Sequence, residues 1–158
     1  MAAAAVRALL VAFALSMAGR ELAASYSVFV APARSLFVSG DITAICGPST
    51  LGCTDITGAS LHARCERRGE AWAPTASIAF APVMHLPSSA GPGATHRLVE
   101  HEREHLRDFH HFAETYARSL SHRRFDSPAA CRALALEEEA AFGARMSAVA
   151  RDSVARRR

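Results

Sequence analysis

Thr95-His96-Arg97-Leu98-Val99-Glu100-His101-Glu102-Arg103-Glu104-His105-Leu106-Arg107-Asp108-Phe109 opens a stretch that continues to about Ser121 without glycine or proline. Leu98, His105, Phe109, Phe112 and Tyr116 recur at the spacing of one helix face. Thr95 has the side-chain oxygen that a helix N-cap requires, so one long amphipathic helix is predicted from there. The pattern breaks at Arg123-Arg124-Phe125-Asp126. Ser127 is then placed to cap a second helix with Pro128 at its first position, running to about Arg151 and only mildly weakened by Gly143.

Upstream, the period changes. Ser27 to Phe37 holds Val28, Phe29, Val30, Leu36 and Phe37 around Pro32, which reads as a broken or edge strand. Leu61 to Arg67 alternates towards a turn at Arg68-Gly69-Glu70. Ser77 to Leu86 is the clearest strand, and Pro82 within it, lacking an N–H, predicts a sheet edge or a bulge. Pro87 to Gly93 reads as a loop. The expected fold class is α+β: a small antiparallel sheet followed by two long helices, the first carrying His101 to His105.

The chain has 158 residues. Its start carries Arg7, then the apolar run Ala8 to Leu15, then small residues at Ser16, Ala18, Ala23 and Ala24, the three-part pattern of a secretory signal peptide. Residues 1–24 are assigned to it, with cleavage after Ala18 or Ala24, and 25–158 to a single domain. That run is too short to span a bilayer comfortably, and no stable membrane span is expected after its removal. A secreted or periplasmic location, bacterial in type, follows. About 135 remaining residues can bury a core unaided, so disulfides would reinforce the fold rather than create it. Cys46, Cys53, Cys65 and Cys131 allow three pairings; Cys46 with Cys53, closing a Gly- and Pro-containing loop, and Cys65 with Cys131 are favoured. No CxxC pair supports a structural zinc site. All 18 basic residues are arginine and the net charge is +3. They form no stripe with interleaved aromatics, so no nucleic-acid partner is expected.

The residues best suited to chemistry are His101-Glu102-Arg103-Glu104-His105. Imidazoles four apart share a helix face and can approach one metal ion, while Glu102 lies on the neighbouring face, where it can take a proton from water. Two histidines from one helix need a third ligand from elsewhere. Glu138 is the first candidate: on the second helix, Cys131, Leu134, Phe142 and Val149 define an inward face with Glu138 in its middle. Glu137 sits at the margin of that face and Glu139 faces away. A lone carboxylate there is costly unless paired, protonated or metal-bound, and an arginine such as Arg145 is the alternative partner. His111 has the offset of a third histidine, but in a continuous helix it lies about 15 Å along the axis from His101. Asp108 returns to the histidine face and is better placed to accept the free N–H of a ligand histidine. His85, His110, His122 and Tyr116 are available as oxyanion partners without spacing choosing among them. Trp72 reads as a packing residue.

From Ser77 to Gly143 the chain resembles a compact HExxH zincin metallopeptidase of the glutamate-zincin kind. The resemblance is carried by the strand, the His101–His105 helix and the later helix with Glu138. It is also similar to a group of small secreted bacterial zinc-dependent proteases, through Leu86-Pro87 and Ala113 to Arg118. The resemblance implies one Zn²⁺ held by His101 and His105 with Glu102 as general base, and a glutamate ligand at Glu138. The expected activity is hydrolysis of peptide bonds by a zinc-activated water on a peptide or protein substrate. The alternatives are a non-catalytic zinc-binding protein and a metal-free, disulfide-stapled interaction module of the cell envelope. For the export segment, N-terminal sequencing of protein from the native cell fraction should find a chain beginning near Gly19 or Ser25. A cytosolic chain retaining Met1 would refute it.

Overall fold

A computed structural model describes residues 25–48 and 50–156. The expected export segment, 1–24, lies outside the described residues. The elements in chain order are β1 (Tyr26–Val30), β2 (Arg34–Val38), α1 (Thr43–Cys46), β3 (Cys53–Arg68), β4 (Ala71–Pro87), α2 (Pro92–Ser121) and α3 (Pro128–Arg156). The α+β class is as the periodicity predicts.

The sheet is mixed, which corrects the expected antiparallel one. β1 and β2 both run parallel to β4, pairing Tyr26 with Ala76 through Val30 with Phe80, and Arg34 with Val83 through Val38 with Pro87. They form one interrupted edge line, broken around Pro32, which has no N–H to give a ladder. β3 is antiparallel to β4 on the other side and turns into it through Gly69, whose φ of 65° suits a residue without Cβ. The chain therefore leaves β2, crosses by way of α1 to the far edge, descends as β3 and returns as β4 into the gap. A strand inserted in that way must parallel the first two.

Pro82 does not put its strand at an edge, because β4 is the central strand. The missing donor falls where the pairing is already interrupted. β1 ends opposite Phe80 and β2 begins opposite Val83, while the register of β3 shifts between Thr57 and Ser60, with Gly58 at φ 61°. The irregularity that proline demands is thus carried by both neighbours.

α2 begins earlier than expected. Gly91 is its N-cap and Pro92 stands in its first turn, where a preset φ and a missing N–H cost nothing. Thr95 instead lies inside that turn, its hydroxyl donating to the carbonyls of Ala90 and Gly91 at 3.3 and 3.2 Å. Ser127 caps α3 as expected, accepting the Ala130 N–H at 3.2 Å. Between the helices, Phe125 exchanges both backbone hydrogen bonds with Trp72, at 2.8 and 2.9 Å, and so ties the connection to the start of β4.

Both helices lie on one face of the sheet, α2 chiefly under β4 and β1 and α3 chiefly under β3. The core joins Ile78, Phe80, Ala76 and Leu61 of the sheet to Phe109, Ala113, Ala117 and Leu120 of α2, and to Phe142 and Met146 of α3. Each large side chain there contributes about 2–3 kcal/mol by leaving water.

Both favoured disulfides are present, Cys46–Cys53 and Cys65–Cys131, and no free cysteine remains among the described residues. Such bridges belong to an oxidising compartment. No helix among the described residues is long and apolar enough to cross a membrane. The second bridge ties β3 to α3 across a sequence separation of 66, the first closes one of only 7. Loop-closure entropy makes the longer bridge the stronger staple, at about 4 kcal/mol against about 2 for the shorter. Denaturant unfolding should therefore show a larger loss for Cys65→Ala/Cys131→Ala than for Cys46→Ala/Cys53→Ala; the reverse order would refute this ranking.

Candidate metal centre

The apolar stripe of α2 decides which of its polar residues go inside. Phe109, Ala113, Ala117 and Leu120 are buried against the sheet, and residues two turns and one turn before Phe109 share their face. Those residues are Glu102 and His105, 1% and 5% exposed. His101 lies just outside the stripe and is exposed. His101, Glu102 and His105 each offer one donor atom, and those atoms lie within 4.8 Å of one another. The imidazoles meet edge to face, with centroids 4.9 Å apart.

The sheet supplies the roof. Thr54 of β3 is buried, pairs with Met84 and donates its hydroxyl to Glu102 Oε2 at 2.6 Å. Gly52 approaches so closely that a Cβ there would stand 3.1 Å from the His85 carbonyl oxygen and 3.7 Å from Glu102 Oε1. The Cys46–Cys53 bridge closes the loop that carries this glycine. Sequence reasoning did not single out Thr54 or Gly52. The usable signal was their position next to Cys53, at the mouth of a disulfide-closed loop.

Two imidazoles and a carboxylate form the N and O donor set that Zn²⁺ accepts. Bonds of about 2.0–2.2 Å need donors closer together than the widest separation here, a difference that side-chain rotation can close. One observation favours a cation: Glu102 is a nearly inaccessible carboxylate whose hydrogen-bond partner is a neutral hydroxyl. Burial of a charge on those terms is costly unless an opposite charge stands nearby.

The other expected site residues are placed elsewhere. Glu138 is buried in α3, as its face predicts, but its carboxylate accepts hydrogen bonds from the Tyr116 hydroxyl and from Arg145 Nη2, the latter at 3.0 Å. Tyr116 follows His105 by eleven residues, about 16 Å along the helix. The structure therefore does not bring Glu138 to the histidines; Arg145, the alternative partner, holds it. His111 and Asp108 are not members of the group. Glu139, expected to face away, accepts the Ala63 N–H of β3 at 2.6 Å and so caps the sheet edge over α3.

None of the candidate oxyanion partners joins the group either. His85 alternates with Met84 and Leu86, whose side chains enter the core, and so belongs to the other face of the sheet. His110 lies 4.0 Å from Glu114, His122 is the C-cap of α2, and Tyr116 is held by Glu138. Beside His101, Ile42, Leu51, Pro87, Ala94 and Leu98 line an apolar groove with Arg97 at its rim. Leu98 and Arg97 stand three and four residues before His101, hence next to it on the helix surface.

Burial, and then the bond to Glu138, push the Tyr116 phenol above its ordinary value of 10.0. The folded state thus keeps this proton at a pH where the unfolded chain has lost it. That stabilisation is complete below about pH 10 and is lost as pH rises further. Tyr116→Phe should flatten the alkaline decline in stability, measured by urea unfolding between pH 9 and 11.5; an unchanged slope would refute the linkage. No family model, curated protein or solved structure matches this chain.

Proposed function

We propose that the protein is an exported zinc-dependent peptidase of the HExxH zincin type, in which His101 and His105 hold one Zn²⁺ and Glu102 is the general base. The observation that carries this reading is the cluster of His101, Glu102 and His105 at the end of the buried stripe of α2. Zinc bound there would polarise a scissile carbonyl and make a water molecule a better acid. The rest belongs to the chain. His105 is held in place by burial, whereas His101 stands at the solvent boundary. Glu102 takes the proton of the attacking water and returns it to the leaving amine. The apolar groove beside His101 accepts a side chain of a peptide or protein substrate, and Arg97 offers its rim a positive charge.

The glutamate ligand that defines the glutamate-zincin kind finds no support in the position of Glu138, so the proposal rests on the HExxH group. That same position favours a second reading. If His101, Glu102 and His105 are themselves the three protein ligands, the site binds zinc without a base and is not catalytic. The two readings separate at Glu102→Gln, whose amide oxygen can still accept the Thr54 hydroxyl.

Zinc stoichiometry and cleavage of a broad peptide library test both. The parent should hold one zinc per chain and cleave peptides, and His101→Ala or His105→Ala should lose both properties. Glu102→Gln should keep the metal while hydrolysis falls roughly 10²–10⁴-fold. Loss of the metal in Glu102→Gln would establish the non-catalytic reading, and a parent without zinc would refute both. Glu138→Gln should retain its zinc.

A further inference from the structure

We infer that Thr54 is a positioning residue for Glu102: its hydroxyl fixes one carboxylate oxygen so that the other is presented to the histidine pair. The inference rests on the proposed function and names the group that sets its general base. At position 54 the strand needs only a β-branched residue that fits a buried face of a sheet, and valine would meet that need with no polar atom to satisfy. The hydroxyl is therefore accounted for by its partner. Thr54 Oγ1 lies 2.6 Å from Glu102 Oε2, a separation in the range of charge-assisted O–H···O bonds.

A glutamate reaches its carboxylate through three rotatable bonds, and a general base has to hold its oxygen within hydrogen-bond reach of the proton it takes. Two features of β3 and the loop before it restrict that freedom. Thr54 holds Oε2 from the sheet, and Gly52 lies on the side of Oε1, where a Cβ would stand 3.7 Å from that oxygen and 3.1 Å from the His85 carbonyl. Both belong to a segment fixed at one end by the Cys46–Cys53 bridge and at the other by the pairing of Thr54 with Met84. The donor atoms of His101 and His105 lie within 4.8 Å of a carboxylate oxygen of Glu102.

Thr54→Val keeps the shape and removes the hydroxyl; Thr54→Ser keeps the hydroxyl and removes the methyl group. In zinc-loaded protein, Thr54→Val should lower kcat about 10- to 100-fold with KM changed by no more than about twofold, and Thr54→Ser should stay within about threefold of the parent. A purely structural role would not divide kcat from KM, nor be rescued by serine. Independently of turnover, the visible absorption of the Co²⁺-substituted protein should change in Thr54→Val and match the parent in Thr54→Ser, because a released carboxylate alters the surroundings of the ion. If Thr54→Val does not fold, Thr54→Ala carries the same expectations. Parent-like kcat and Co²⁺ spectrum in Thr54→Val would overturn the inference alone, as would a serine variant as impaired as the valine one. A parent that neither binds metal nor cleaves peptide would overturn the proposed function, and this inference with it.

Discussion

Ala113 and Ala117 are fully buried, and because they are small they let α2 lie close against Ile78 and Phe80 of the sheet. That contact fixes the roll of the helix. Once Phe109, Ala113 and Ala117 face the sheet, helical geometry leaves no choice for residues one and two turns earlier, and His105 and Glu102 are carried inward with them. The same geometry leaves His101 outside. A polar group is thus held in an interior by an apolar stripe farther along the helix, and the remaining elements meet the consequence. β3 brings Thr54 to the carboxylate, and the loop closed by Cys46–Cys53 brings Gly52 beside it, where any larger residue would crowd the His85 carbonyl.

Local pattern made much of this legible. Both helices, the Ser127 cap, the turn at Gly69 and the loop-closing Cys46–Cys53 pair follow from residue types and spacings that act within a few positions, and Cys65–Cys131 is the pair that then remains. The strand order was not legible, because it depends on which strand fills the gap between edges, and no short-range pattern reports that. Pro82 shows the difficulty. Its missing N–H demands an irregular ladder, but the sequence does not say that the breaks in two neighbouring strands will supply it in the middle of the sheet. The roll of α2 was only partly legible. Reading Leu98, His105, Phe109, Phe112 and Tyr116 as one face caught the buried His105 and Phe109 but set the stripe to one side, and the small residues Ala113 and Ala117 mark its centre.

Glu102 and Glu138 are both buried carboxylates on helices, yet they are accommodated in different ways. Glu138 has a guanidinium at 3.0 Å and a phenol hydroxyl, and Arg145 also lies over the Tyr116 ring, 5.7 Å from its centroid. That network satisfies the charge by itself and ties α2 to α3. From sequence alone an inward glutamate reads equally well as a metal ligand or as half of an ion pair, because the deciding factor is the direction of Arg145, one long side chain seven residues away. Glu102 has no such cation among its hydrogen-bond partners. It has a hydroxyl, and imidazoles close by. The difference separates a carboxylate whose surroundings complete a structural pair from one whose surroundings leave room for an additional positive charge.

Access to the group follows from the same packing. The sheet, Thr54 and the Gly52 backbone close the side of Glu102, and burial closes that of His105. His101 alone is exposed, so an approaching molecule meets the group from the His101 side. On that side the helix surface leads to Leu98 and Arg97, and the groove beyond is walled by Leu51, which belongs to the disulfide-closed loop. One loop therefore contributes both a wall of the groove and, through Gly52, a neighbour of Glu102. Arg97, by contrast, touches neither Thr54 nor Glu102 in the hydrogen-bond network, and a substitution there can alter the groove without moving the carboxylate.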